Sequence, residues 1–97
     1  MWVGVESMTF LIPGSSSLKD KRKLIGSLKQ RVRSRFNVSV AEVSGHSLWQ
    51  RSVLGFSTVG VDRSQVNHTL DQIDNFVESL LPGRVEVIDR IRELFPG

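Results

Sequence analysis

Between Lys19 and Arg35 the chain carries eight of its thirteen cations and a single acid, Asp20. The segment that holds them, LKDKRKLIGSLKQRVRSRF (Leu18 to Phe36), also repeats apolar residues at helical spacing: Leu18, Leu24, Ile25, Leu28, Val32 and Phe36. Winding it at about 100° per residue gathers those six into roughly a third of the circle. Lys29, Arg22, Arg33, Lys19 and Lys23 fall immediately beside them, with only Gly26 and Gln30 between, while Arg31 and Arg35 lie on the opposite border. A solvated helix usually mixes signs, because acid–base pairs four apart stabilise it and like charges repel. A one-sided row of cations is suited to binding a polyanion through its phosphates.

The start of the helix adds to this. Ser15, Ser16 and Ser17 offer hydroxyls, the first turn leaves backbone N–H groups free, and Lys19, Arg22 and Lys23 follow at once. The helix dipole disfavours cations there by about 0.3–1 kcal/mol each, whereas an anion would satisfy hydroxyls, N–H groups and cations together. Lys21 falls inside the apolar arc. Either its stem snorkels past the helix end, or its ammonium pairs with a sheet carboxylate such as Glu6 or Glu42. A competing account has Asp71, Asp74 and Glu78, an acidic stripe on a second helix, neutralise the first helix within one chain or across a dimer.

The stretch HSLWQRS is the second place where residue types suggest binding. Trp49 and Arg51 can stack on and contact nucleotides, and Gln50 can both donate and accept. The plainer account has Trp49 plug a sheet edge and Arg51 pair with an acid such as Glu42. Catalytic patterns are missing. His46 and His68 have no metal-ligand spacing to each other. No phosphate loop, nucleophile elbow or paired-carboxylate motif occurs. The expectation is a non-enzymatic protein with no metal and no cofactor.

Six elements must position these residues. Trp2 to Ile12 reads as a strand closed by PGSSS. The basic helix begins at Leu18, with Ser17 and Asp20 forming a capping-box pair, and Asn37 can end it. Val38 to Val43 alternates as a strand, and SVLGFSTVGV is a third. Val66, Leu70, Ile73, Val77 and Leu80 share one face of a second helix, Arg63 to Leu81, stopped by Pro82-Gly83. RVEVIDRIREL reads as a last strand with Val85, Val87, Asp89 and Ile91 on one side, able to turn helical near its end before a frayed FPG tail. The order β-α-β-β-α-β predicts an α+β, ferredoxin-like fold: a four-stranded antiparallel sheet in the order 4-1-3-2 with both helices on one face.

Ninety-seven residues, 39% of them hydrophobic, suit a single domain spanning 1–97. The absence of cysteine excludes disulfides and thiol chemistry. No apolar run approaches the roughly 20 residues of a membrane span, and Glu6 interrupts the N-terminal apolar stretch, so a cytoplasmic protein is expected. The basic helix has a local charge of +7; five cations and nine acids leave the rest at −4. The central strands are apolar on both parities: Val3, Val5 and Leu11 against Trp2, Met8, Phe10 and Ile12, then Val53, Val59 and Val61 against Leu54 and Phe56. A helix-free face that is also apolar predicts a homodimer through that face. The alternative is that Trp2, Met8 and Phe56 are scattered surface residues.

The runs Ser17–Arg22 (SLKDKR), Phe36–Glu42 (FNVSVAE) and Leu48–Arg51 (LWQR) resemble those of the YlxP-like family of small bacterial proteins. The resemblance spans Val3 to about Glu86; the final RIRELFPG is not diagnostic. It implies a ferredoxin-like fold and carries no catalytic or binding residues across. The family's genes often lie near those for translation and ribosome assembly, which implies RNA or ribosome contact. The functional expectation is therefore an RNA- or ribosome-binding module. Its contacts are Lys19, Arg22, Lys23, Lys29 and Arg33, with the three serines at the helix start and Trp49 and Arg51 as helpers. A protein-interaction or self-assembly domain is the alternative, and a small phosphorylated ligand at PGSSSLKDKR is a third.

Overall fold

Strand β1 (Trp2–Leu11) leads into helix α1 (Leu18–Arg35), followed by β2 (Ser39–Ser44), β3 (Arg51–Gly60), α2 (Arg63–Leu80) and β4 (Glu86–Pro96). The structure is a computed structural model and describes residues 1–97. All strand pairs are antiparallel, and the sheet order is β2-β3-β1-β4. This is the ferredoxin-like arrangement expected from the element order. No helix is long and apolar enough to cross a membrane.

Both helices begin on side-chain caps. Ser17 Oγ accepts from the Asp20 backbone N–H at 3.1 Å, and Asp62 Oδ1 accepts from that of Gln65 at 2.8 Å. The expected box at α1 closes one residue early: Asp20 Oδ2 accepts from Ser16 Oγ at 2.7 Å and Ser16 N at 3.4 Å, not from Ser17. Helix α1 ends where Phe36 turns extended and meets the Phe76 ring edge-on at 5.7 Å.

The core lies between helices and sheet. Even-numbered residues of β1 and β3 face it, among them Met8, Phe10, Leu54 and Phe56, all at most 2% exposed. They meet Ile25, Leu28 and Val32 of α1 and Val66, Leu70, Ile73 and Val77 of α2. At Gly4 a Cβ would sit 2.5 Å from Val66 Cγ1 and 2.9 Å from Leu70 Cδ1, so glycine is what lets α2 lie down on β1. Trp2, Met8 and Phe56 are therefore core or core-margin residues, not scattered surface ones. The apolar groups of the helix-free face are others: Val59, Ile91 and Phe95 are about half exposed (53%, 56% and 45%), with Val3 and Val5 between them and Val53 beyond. A shallow trough of about 440 Å³ crosses this face, floored by Ser7, Gly55 and Ser57 and bordered by Val43 and Ile91.

The C-terminal strand departs from expectation twice. The tail neither frays nor turns helical. Pairing runs out to Trp2 opposite Pro96, and the Gly97 N–H donates to Met1 O at 2.6 Å. Proline is tolerated there because β4 is an edge strand. In addition, Thr9 pairs with Asp89 but Phe10 with Val87, which leaves Ile88 as a bulge. The extra residue switches the parity. Val87 packs on the core, whereas Asp89 and Ile91 fall on the open face rather than sharing a side with Val85 and Val87.

Candidate nucleic-acid interface

Helix α1 lies against β2. Its buried arc is Lys21, Ile25, Leu28 and Val32, and the flank carrying the main cation row faces the β2 edge, where Arg33 Nη2 donates to Val40 O at 2.6 Å. The other flank meets α2, with the Arg35 guanidinium 4.8 Å over the Phe76 ring. From Lys19 to Arg33 the row extends about 21 Å along the helix axis. Lys19, Arg22, Lys23 and Arg33 are exposed and Lys29 is half-buried. None of the five lies within ion-pair distance of a carboxylate.

The acids of α2 do not reach this row. They are taken by two arginines of β4, Arg90 and Arg92, which the sequence reading passed over. Arg92 Nη1 meets Asp71 at 2.7 Å, its Nη2 meets Asp74 at 2.9 Å, and its Nε meets Glu6 Oε1 at 2.5 Å. Arg90 pairs with Glu78 and, at 3.9 Å, with Asp74. A signal was present. Arg90 and Arg92 share a strand face by parity, and Asp71, Asp74 and Glu78 share a helix face at three- and four-residue spacing. Glu6 is buried. Burial, with the Asp74 carboxyl accepting its hydrogen bond, pushes it up to about 8 despite Arg92. Glu6 Oε2 and Asp74 Oδ1 are otherwise buried without a partner. A proton held by Glu6 supplies the donor that two carboxylates lack. Arg92 is raised in turn: burial opposes its charge, and Asp71 and Glu6 outweigh that.

Lys21 belongs to no binding surface. Its side chain is 1% exposed, and its ammonium pairs with Glu42 at 3.1 Å, the second of its two expected partners. It also donates to the carbonyls of Gly45 (2.6 Å), Arg51 (3.3 Å) and His46 (3.4 Å). Burial works to raise Glu42, but the Ser52 hydroxyl at 2.5 Å and Lys21 outweigh it and hold the carboxylate below its usual range. The ammonium thus fastens the turn between β2 and β3 to the first turns of α1. Gly45, at φ +80, gives that turn its left-handed corner. Gln50 fastens the other side, its amide donating to Ser15 O at 3.3 Å and Pro13 O at 3.4 Å.

The two stretches singled out by residue type are therefore brought together at one end of the molecule. They do not contribute equally. Ser15 is buried, with Oγ donating to Ser17 O at 3.1 Å, and Ser16 and Ser17 are committed to Asp20. The bonds from Ser16 hold the Asp20 carboxyl below its usual range, so that carboxylate already stands where an anion was expected at the helix start. The plainer account of the turn is corrected on both counts. Trp49 is 53% exposed and plugs nothing, and Arg51 makes no ion pair because Glu42 is taken by Lys21 and Ser52. His46 and His68 are exposed.

Comparison with known proteins agrees with the fold. The chain covers a de novo designed protein, Foldit4, almost end to end (100% of this chain, 99% of that one) at a TM-score of 0.53 and 14% identity, a likeness of fold alone. It is 31% identical over 77 residues to the uncharacterized protein YlxP of Bacillus subtilis (strain 168), covering 79% of this chain and 84% of that protein. Residues 3–91 match the family model described as protein of unknown function (DUF503), and the chain belongs to that family.

Proposed function

We propose that this protein is a non-enzymatic RNA-binding module, with ribosomal RNA among the ligands of the right chemistry. The observation that carries this reading is the exposed cation row of α1. Lys19, Arg22, Lys23, Lys29 and Arg33 stand together without a carboxylate partner, although the chain has acids enough to have supplied one. Keeping like charges side by side costs stability, and a polyanion recovers that cost by releasing its condensed counterions. The serines at the helix start shape the loop rather than contact the ligand.

The test is binding of RNA by the double variant Arg22→Glu/Lys29→Glu at low salt. Wild type should lose affinity steeply as salt rises, and the variant should bind weakly with a shallower salt slope, since each neutralised phosphate contributes about 0.7–0.9 to it. A variant that matches wild type at low salt removes the row from consideration. One observation favours a second reading, self-association. Val59, Ile91 and Phe95 are about half exposed on the helix-free face, and sedimentation of the protein without RNA distinguishes it.

A further inference from the structure

Trp49 sits oddly for a packing residue. The residue is 53% exposed, although an indole gains more from burial than almost any other group. A loose turn would fold it down. This turn is not loose: Lys21, itself 1% exposed, holds the carbonyls of Gly45, His46 and Arg51 from one side, and Gln50 holds Pro13 and Ser15 from the other. Burying an ammonium is costly unless every proton finds an acceptor. Here that expense fixes a turn that leaves its largest side chain, Trp49, half exposed at the end of the molecule where α1 begins.

We infer that the RNA bound by this protein carries an unpaired nucleotide at the Lys19 end of α1, with its base stacked on Trp49 and its phosphates on the cation row. The inference rests on the RNA-binding reading above and narrows it to a ligand class. An A-form duplex offers phosphates and 2′-hydroxyls but keeps its bases stacked inside. It would engage the row and leave Trp49 bare. A single strand, or a hairpin loop, supplies both partners at once: a base for the indole and phosphates for Arg22 and Lys19. Stacking on an aromatic accepts any base, so the preference is for unpaired structure rather than for a sequence.

The experiment compares a labelled RNA hairpin with an unpaired loop and a blunt duplex of the same stem, by anisotropy at low salt. The proteins are wild type, Trp49→Ala, Trp49→Phe and Arg22→Glu/Lys29→Glu. Wild type should favour the hairpin. Trp49→Ala should weaken hairpin binding by about 5- to 150-fold, the range of one base–aromatic stack, and leave duplex binding unchanged, while Trp49→Phe restores most of the loss. Trp49 is exposed, so a circular dichroism spectrum matching wild type is expected for all its variants. If wild type binds both RNAs equally and Trp49→Ala changes neither, while the charge reversal abolishes both, the stacking site is overturned and the RNA reading stands. If neither RNA binds wild type, both fall. If Trp49→Ala dissociates a dimer in sedimentation, the indole serves a protein contact and the inference is overturned.

Discussion

The two charged sides of this molecule solve opposite problems. On the β4 side Arg92 divides its guanidinium among Glu6, Asp71 and Asp74, and Arg90 takes Glu78; burial beside Asp74 pushes the surplus carboxyl, Glu6, toward its neutral form. On the β2 side one cation, Lys21, is buried and fully paired, while its neighbours Lys19, Arg22 and Lys23 have no carboxylate partner. Internal neutralisation is thus available to this fold and is used wherever charge meets the core. The row on α1 is charge that the fold leaves without a carboxylate, although Arg33 is tied to the Val40 carbonyl, and that contrast gives the row its meaning.

The comparison breaks most decisively at Lys21. Lys21→Met would strand the Glu42 carboxylate and the carbonyls of Gly45, His46 and Arg51. Removing one partner of a buried pair costs about 3–5 kcal/mol, a loss that urea denaturation would show as a lower midpoint. The same change should loosen the turn, seen as faster amide exchange at Leu48, whose N–H donates to Gly45 O.

The two sides should also respond to pH with opposite sign. Glu6 is raised from 4.5 to about 8, so between those values the folded chain holds a proton the unfolded chain has released. Its stabilising contribution is complete below pH 4.5 and is lost as pH rises through 8. Glu42 is held below its usual value, so its contribution is present above that value and is lost as pH falls. Glu6→Gln, which keeps a donor for Asp74, should flatten the decline in the urea midpoint between pH 4.5 and 8, on the order of a few kcal/mol, and leave the Glu42 limb at lower pH intact. A decline equal to that of wild type would show that Glu6 ionises in the folded chain as it does when unfolded.

A smaller effect belongs to the cap. Ser17→Ala removes the acceptor for the Asp20 N–H and should cost about 1 kcal/mol, measured in the same denaturation experiment.

Much of this was legible from residue types, because the signals were local. Periodicity placed both helices, the cap fixed the start of α1, and the odd place of Lys21 on the wheel named its partner Glu42 as one of two. What stayed hidden depended on register across the sheet. The bulge at Ile88 reverses the faces of β4, and without it Asp89 and Ile91 were grouped with Val87. The pairing of Arg92 with Glu6 joins residues 86 positions apart, which no local pattern can reveal. Trp49 was undecided between packing and binding for the same reason: its exposure is set by Lys21 and Gln50, which hold the turn from other elements.

The smallest expected change in stability carries the most functional weight. Arg22 is exposed and Lys29 half-buried, and neither has an ion-pair partner, so Arg22→Glu/Lys29→Glu breaks no salt bridge of the folded chain. Surface substitutions of this kind usually stay within about 0.5 kcal/mol, and here relief of like-charge repulsion should push the urea midpoint level or slightly upward. Arg92→Glu, with the same change of sign, should unfold the chain far more readily, because it strands Asp71 and Asp74 and adds another carboxylate beside them and Glu6. If the α1 reversal proved as costly as the β4 one, the row would be serving the fold, and its cations would not be free to hold an RNA.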